Sequence, residues 1–437
     1  MAKKSKKESK KTKKVTRKKA KKAPARTPRK KDRPQAKKIA KRAVKKKPSG
    51  KRPGKKVSTN RATAARAAAV KASARRPRPS IMAAALEPFL AQREISGAVT
   101  LVADEKRILH LEAHGLRDVA KKIAMASDSL FAIASMTKPL TAAAVLMLQD
   151  EGKLSVEDPV GKYLPELARL TTPAGSVHAV TIRQILTHTS GMGEATPEEW
   201  RACRTLADLV PAHAAKPLRF VPGSQWGYCQ SGLNTAARLV EVVSGKSFPR
   251  FLRERLFGPL GMVDSGHVLT EAQALRLAKL YARTEGGALT EAVNVHGSPR
   301  GPTDPDALPA GNAGLYSTAE DYSRFARMLL GGGVFEGLPL LAPASVALMG
   351  SNLTGDLAVG FTPGNVFGLG CGVVRHPQGP TADLTPGTFG HGGAWGTQAW
   401  IDPVKKRVHI LMVQRANFPN ADASAVRAAF HRAARAI

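Results

Sequence analysis

The sequence predicts an α/β fold in which one antiparallel sheet is built from both ends of the globular part of the chain. Two observations support this class, and a third marks where the globular part begins. Strand-like alternation forms a hairpin at 98–113 and again at 398–413, and helical patterns fill the long stretch between them. Charge separates the amino end from the rest, because residues 1–80 hold 35 of the 69 lysines and arginines.

Residues 1–79 are predicted to form a disordered, basic tail. With only two acidic residues, this segment carries +33 of the formal net charge of +36. Lysine-rich runs broken by prolines bury too little apolar surface to offset the entropy cost of ordering. We expect nonspecific binding to nucleic acid or another polyanion, with anionic membrane surfaces as the competing partner. The tail has no aromatic residue, so stacking on single-stranded bases is not indicated.

Hydrophobic periodicity predicts the helices and strands that follow the tail. The chain after the tail predicts a helix, a two-stranded hairpin, a long buried helix, a helical middle region, a second hairpin and a closing helix. The predicted bounds are Ile81–Ile95 for the first helix, Ala98–Ala103 and Arg107–Ala113 for the first hairpin, Thr181–Leu186 and Leu233–Ser244 for the clearest helices of the stretch 153–310, Ala319–Leu330 for a further helix, Gln398–Ile401 and Arg407–Val413 for the second hairpin, and Ala423–Ala436 for the closing helix.

The most distinctive motif is Ser135-Met136-Thr137-Lys138. Ser135 is the only serine in the chain with a lysine three residues later, and the alanine-rich run that follows predicts a buried helix ending near Gly152. In the first turn of a helix, residues three apart share a face. A serine hydroxyl is a weak nucleophile until a neighbouring base activates it. The pair therefore indicates covalent acyl transfer, and the alternative is an N-cap serine beside a solvated lysine.

Composition argues against export, disulfides and metal binding. No apolar stretch follows the amino-terminal charges and no run of roughly 18 apolar residues occurs, so we expect no secretory signal, no membrane span and a cytoplasmic location. Three widely spaced cysteines suggest neither a disulfide framework nor a metal site. His110, Glu112 and His114 have the spacing of a metal site on a strand, but a solvated outer face is the favoured interpretation. No metal or cofactor is predicted.

Five blocks of sequence carry a resemblance to a known family. They are FAIASMTKPLTAAAVLMLQ from residue 131, ILTHTSGM from 185, PGSQWGYCQSG from 222, AGNAGLYSTAED from 310 and FGHGGAWGTQAW from 389. In this order and spacing, the chain resembles the serine β-lactamase-like family, on the side of class C β-lactamases, penicillin-binding carboxypeptidases and related esterases. The resemblance implies a three-layer fold over 80–437, with an antiparallel sheet flanked by helices and a mostly helical lobe inserted at roughly 140–310.

The resemblance also assigns roles to particular residues. Ser135 matches the family nucleophile, and Lys138 matches the lysine of the S-x-x-K motif, which would help to deprotonate it. Tyr228 matches the tyrosine of the Y-x-N motif, which handles protons in acylation and deacylation. The backbone amides of Ser135 and Ala394 would form the oxyanion hole. The residues expected to contact the substrate are Gln230, His391, Gly392, Gly393 and Trp395.

Two motifs depart from the β-lactamase pattern. Tyr228-Cys229-Gln230 replaces Y-x-N, so that Gln230 keeps the amide but adds a methylene. His391-Gly392-Gly393 replaces K-T-G, a version common among esterase-like members, and thereby removes a lysine that would bind a β-lactam carboxylate. The resemblance thus implies a serine hydrolase that acts on an ester or amide of a small acyl substrate, with carboxylesterase activity favoured. The alternatives are β-lactamase or D-Ala-D-Ala carboxypeptidase activity, or a catalytically weak body tethered to nucleic acid by the tail.

Overall fold

The computed structural model describes residues 79–360, 362–418 and 424–437, so the predicted basic tail lies outside the described residues except for its last residue. Its strands are β1 Gly97–Ala103, β2 Ile108–Asp118, β3 Ile123–Ala124, β4 Phe131–Ala132, β5 Leu170–Thr171, β6 Val177–His178, β7 Tyr281–Arg283, β8 Leu289–Glu291, β9 Tyr316–Ser317, β10 Val334–Phe335, β11 Leu338–Pro339, β12 Asn365–Phe367, β13 Gly372–Val374, β14 Phe389–Gly392, β15 Gln398–Asp402, β16 Arg407–Val413 and β17 Arg415–Ala416.

The helices lie mostly between the two halves of the sheet. They are α1 Ile81–Ala91, α2 Thr137–Asp150, α3 Ile182–Leu186, α4 Pro197–Ala202, α5 Leu206–Ala214, α6 Gln230–Ser244, α7 Phe248–Leu252, α8 Gly258–Leu260, α9 Glu271–Ala274, α10 Ala319–Leu330, α11 Pro343–Gly350 and α12 Ala425–Ala434. A π-helical turn, Arg253–Phe257, joins α7 to α8, and a 3₁₀ turn, Ala134–Met136, precedes α2. Among the described residues, no helix has the length and apolar character needed to span a membrane.

The main sheet has eight strands in the order β12-β13-β14-β15-β16-β1-β2-β3, and every neighbouring pair is antiparallel. Strands from the two ends of the domain meet where β1 pairs with β16, with Leu101 opposite Ile410. This pairing confirms the prediction of one sheet built from both ends.

Helices cover both faces of this sheet. Successive residues of a strand point to opposite faces. On one face, Val99 and Leu101 of β1 join the large core that includes α10, whereas Ala98 and Val102 join a separate cluster with α1 and α12. The three-layer prediction is therefore confirmed. The middle helices pack around α6, which contacts α2, α3, α5 and α7, while the bounds of an inserted lobe stay a prediction.

Two expectations about the first layer were wrong in detail. The first helix ends at Ala91 rather than Ile95, because Arg93 adopts a left-handed backbone with φ of 53° and turns the chain into β1. The face of β2 that carries His110, Glu112 and His114 is also not an open, solvated surface. His114 is buried, and both imidazole Nε2 atoms lie within hydrogen-bond distance of the Thr100 hydroxyl, at 2.9 and 3.2 Å. Among the described residues, no three His, Cys, Asp or Glu side chains are arranged to hold a metal ion.

Candidate active site

The serine of the S-x-x-K motif lies in a tight turn between β4 and α2. Ser135 is half-buried, and it belongs to the 3₁₀ turn just before the helix rather than to the first helical turn that was predicted. The preceding residue, Ala134, has φ of 44°, a left-handed conformation that is unfavourable for alanine. The turn is held by neighbours on both sides, because Ile133 N donates to Leu315 O and Thr397 Oγ1 donates to Ile133 O.

Lys138 projects from the first turn of α2 toward the serine. Its ammonium nitrogen Nζ donates to Ser135 Oγ at 2.9 Å, to Gln230 Oε1 at 3.0 Å and to the backbone oxygen of Asn312 at 2.9 Å. The side chain is completely buried. Burial disfavours the charged form, and it lowers the pKa of Lys138 to about 7. An amine with this pKa can hold or release a proton near neutral pH. The 2.9 Å distance shows that the two side chains are in contact, while their catalytic roles stay a prediction.

Tyr228 reaches the same place from the loop before α6. Its ring centroid lies 4.7 Å from Lys138 Nζ, and its half-buried ring packs against His188 with centroids 4.4 Å apart. Trp226 and His391 flank it at 6.2 and 6.1 Å. The Ser135–Lys138 pair and the Tyr228 ring thus lie close together, although they come from distant parts of the chain. The part of Tyr228 in proton transfer stays a prediction.

The amide of Gln230 takes the place of the family's asparagine. Its Oε1 accepts two hydrogen bonds, one from Lys138 Nζ and one from Asn312 Nδ2 at 2.8 Å. Asn312 is buried and contacts Lys138 through its backbone oxygen and Gln230 through its side chain. The longer glutamine side chain therefore still reaches the lysine. Sequence reasoning did not single out Asn312, although the residue lies inside one of the five blocks.

Glu194 is a second residue that sequence reasoning missed. Its carboxylate accepts hydrogen bonds from Gln230 N at 2.6 Å, Ser231 N at 2.9 Å and Ser231 Oγ at 2.8 Å. These amides are the first of α6, so the carboxylate caps the positive end of a 15-residue helix. Its negative charge also acts on Lys138, where it opposes the effect of burial and raises the pKa of the amine. Glu194 thus fixes the turn that carries Tyr228 and Gln230.

His391 is a neutral imidazole at the end of β14. Its Nδ1 lies 2.6 Å from Gly392 O, and since a carbonyl only accepts hydrogen bonds, Nδ1 carries the proton. Burial first, and the charge of Lys138 second, lower the pKa of His391 to about 3. The Nε2 atom is buried and has no hydrogen-bond partner among the described residues. His391 is therefore an uncharged and buried side chain, in the motif where the K-T-G pattern has a lysine.

The glycines after His391 bring the end of β14 against the turn that carries Ser135. Gly393 N donates to Thr397 O at 2.6 Å, and a Cβ atom on Gly393 would lie 2.5 Å from Ile133 O. Ala394 is exposed, while Trp395 is buried with its ring centroid 5.3 Å from that of His296. The structure thus brings 391–395 beside the serine turn. The oxyanion role of the Ser135 and Ala394 amides stays a prediction.

Two further side chains near the phenol are structural. His188 is fully buried with φ of 62°, and its Nδ1 accepts a hydrogen bond from Cys229 N at 3.1 Å. Burial holds the pKa of His188 well below its usual value. Burial likewise raises the pKa of the Cys229 thiol to about 12, so this cysteine is not a reactive thiolate.

Comparison with known proteins places the chain in a family. The family model described as Beta-lactamase matches residues 82–434. The chain therefore belongs to the β-lactamase family, whose members include serine hydrolases named as esterases and as penicillin-binding proteins.

Relatives within this family carry different names. Protein Rv1367c of Mycobacterium tuberculosis is 34% identical, with 76% of this chain and 88% of that protein covered. Esterase EstB of Burkholderia gladioli is 30% identical, with 73% and 86% covered. Penicillin-binding protein 4 of Amycolatopsis lactamdurans is 33% identical, with 66% and 72% covered.

Solved structures share the fold at lower identity. EstCE1, a hydrolase with promiscuous acyltransferase activity, gives a TM-score of 0.70 at 23% identity, covering 80% of this chain and 97% of its own. Unliganded simvastatin synthase LovD from Aspergillus terreus gives a TM-score of 0.66 at 23% identity, covering 82% and 97%. At this identity the likeness shows the fold alone.

Proposed function

We propose that this protein is a serine hydrolase that cleaves esters of small acyl groups through an acyl-enzyme. The single observation that carries the proposal is the 2.9 Å contact between Ser135 Oγ and a fully buried Lys138 whose pKa is lowered to about 7. A base with a pKa near the working pH is the most effective partner for a serine nucleophile.

The proposed reaction uses three side chains and two amides. Ser135 Oγ attacks the ester carbonyl while neutral Lys138 takes its proton, and Tyr228 delivers a proton to the leaving alkoxide. The amides of Ser135 and Ala394 stabilise the tetrahedral oxyanion, each by about 3–4 kcal/mol. Water then attacks the acyl-enzyme, with Tyr228 and Lys138 moving the protons in reverse. Gln230 holds Lys138 in place through a hydrogen bond, and Glu194 fixes the turn that carries Tyr228.

An ester substrate is favoured over a β-lactam by the chemistry of His391. A β-lactam carboxylate needs a cation or a donor, and His391 is neutral, with its one N–H already donated to Gly392 O. The name of the EstB relative supports the same preference. The name of penicillin-binding protein 4 keeps β-lactamase and D-Ala-D-Ala carboxypeptidase activity as the second candidate.

A substrate panel separates these candidates. Full-length protein is tested with chromogenic esters of acetate and butyrate, a chromogenic cephalosporin and a D-Ala-D-Ala dipeptide. We expect ester turnover that disappears in Ser135→Ala and persists in Ser351→Ala, an exposed serine elsewhere. Turnover of the cephalosporin or the dipeptide with inert esters would replace the esterase proposal with the second candidate. No turnover of any of them by folded protein would refute both.

We also propose that the basic tail tethers the enzyme to nucleic acid or another polyanion. The supporting observation is the net charge of +33 within residues 1–80, against +3 for the rest of the chain. Such binding depends on phosphate contacts and weakens steeply with salt. Tethering of this kind would determine where the hydrolase acts, and it is compatible with the catalysis proposed above.

A further inference from the structure

A large cavity lies in the helical region, separate from the residues proposed for catalysis. Its volume is about 960 Å³, and neither Ser135 nor Lys138 lines it. The lining comes from the start of α5, from α7 and the π-helical turn, and from the loops 261–268 and 300–309. This volume is at the upper end of the range for small-molecule sites in proteins, about 300–1,000 Å³.

The floor of the cavity is apolar. Leu206, Phe257 and Met262 line it with buried side chains, and Val263 and Val268 extend the apolar surface to the edge. Val263 is 81% exposed and Val268 is 39% exposed. Burying apolar surface is favourable by about 25 cal/mol per Å². An apolar group bound over these two valines would therefore gain binding free energy. The surface fits the hydrocarbon part of a ligand.

The mouth of the cavity carries uncompensated positive charge. Arg204 donates from Nη1 to Arg201 O, and Arg253 has no side-chain hydrogen bond or ion pair among the described residues. The two acidic residues of the lining are already committed. Glu241 binds Arg238 and Phe248 N, and Asp306 binds the third lining arginine, Arg300.

Apolar surface and two guanidinium groups that pair with no acidic side chain among the described residues define a ligand class for this cavity. We propose that this cavity binds an anionic amphiphile, with a carboxylate or phosphate monoester head at Arg204 and Arg253 and an apolar body over Phe257 and Met262. Guanidinium groups bind both head groups through paired hydrogen bonds. The site is independent of the proposed hydrolase chemistry.

Photo-crosslinking maps such a ligand directly. Full-length protein is irradiated with a diazirine-bearing dodecanoate, and labelled peptides are identified by mass spectrometry. Mapping is needed because the basic tail also attracts anions. Three variants are compared, Arg204→Gln with Arg253→Gln, the matched control Arg93→Gln with Arg169→Gln at exposed arginines outside the cavity, and Ala307→Trp, which fills the cavity without changing its charge.

We expect saturable labelling of peptides within 247–268 and 300–309. It should fall at least about tenfold in the Arg204/Arg253 pair and in Ala307→Trp, and remain unchanged in the control pair. Unlabelled dodecanoate or dodecyl phosphate should compete, and the anion that competes better identifies the head group. Dodecyltrimethylammonium should not compete. Labelling confined to the tail or the Ser135 pocket, labelling that survives the Arg204/Arg253 substitutions, or equal competition by the cation would overturn the proposal.

Discussion

Lys138 is a buried amine under two opposing influences. Burial lowers its pKa, and the nearby Glu194 carboxylate raises it, with burial the larger effect. The result, a pKa of about 7, leaves a substantial fraction of the amine neutral at physiological pH. If neutral Lys138 is the base for Ser135, kcat/KM should rise with pH through this pKa and then level off.

Glu194→Gln tests this balance. Removing the carboxylate charge should lower the pKa of Lys138 further, so the acidic limb of the kcat/KM profile should move to lower pH. Ser231→Ala is the matched control, because it removes one hydrogen bond to the carboxylate and keeps its charge. A limb that stays in place in Glu194→Gln, or moves upward, would contradict a neutral lysine base held in check by this carboxylate.

Tyr228→Phe tests the phenol without removing the ring. The phenyl ring keeps the packing against His188 and the position over Lys138, so folding should be unaffected. Loss of a proton-transfer group should lower kcat by about 10²–10⁴-fold with little change in KM. Tyr163→Phe, which removes a phenol bonded to Asp158, should leave kcat unchanged. A Tyr228→Phe enzyme with wild-type kcat would exclude the phenol from proton transfer.

At this scale, sequence reasoning identified the residues of local motifs and missed their supports. Ser135 and Lys138 are three residues apart, so one helical turn predicts their contact. Glu194 lies 36 residues before Gln230 in a loop, and nothing in its spacing indicates that its carboxylate caps α6. Asn312 meets Gln230 across 82 residues. Contacts made by loops depend on how the whole chain folds, which periodicity does not report.

Among the elements, the turn that carries Ser135 and the end of β14 depend on each other. Gly393 packs so closely against the turn that a Cβ atom would lie 2.2 Å from Thr397 Oγ1 and 2.5 Å from Ile133 O. This contact holds the chain just before Ala134, whose left-handed backbone needs such support.

Gly393→Ala should therefore weaken both stability and activity. The added methyl must displace the backbone beside Ser135, so we expect a loss of about 1–3 kcal/mol in the free energy of unfolding and a lower kcat. Gly286→Ala is the matched control, because its Cβ atom would have no neighbour closer than 4.0 Å. Thermal unfolding and ester turnover measure the two effects. A Gly393→Ala protein as stable and active as Gly286→Ala would refute the coupling.

Element boundaries were predicted less well than element types. The sixth helix, predicted from Leu233, begins at Gln230, since the Glu194 carboxylate satisfies amides that would otherwise be unpaired. The apolar pattern that suggested a first helix to Ile95 continues past its end at Ala91, because Ile95 packs in the same core cluster from outside the helix. In both cases a tertiary contact moved the boundary.

The whole molecule combines a nearly neutral body with a polycationic amino end. Strand alternation and helical periodicity were enough to predict one sheet built from both ends of the domain, because they record which side of each element is buried. The three layers were implied by the family resemblance. The cavity at α5 and α7 could not be predicted, since its lining comes from five separate stretches of chain.

Deleting residues 1–79 tests whether the tail binds nucleic acid while the remaining residues carry out catalysis. The truncated protein should keep ester turnover within about twofold, because the proposed site lies wholly in the remaining residues. Binding to duplex DNA should be lost, whereas the full-length protein should bind with a log affinity that falls by about 0.9 per neutralised phosphate for each unit of log salt. Gel shifts at several salt concentrations provide the measurement. DNA binding that survives the deletion would contradict the role of the tail.

The central claim is that Ser135 is an activated nucleophile, and covalent labelling tests it most directly. Full-length protein is treated with a fluorophosphonate at neutral pH and analysed by intact mass and peptide mapping. We expect one adduct per chain on the peptide that contains Ser135, and none on equally folded Ser135→Ala. A folded wild-type protein that stays unmodified, or that carries its adduct on another residue, would contradict the claim.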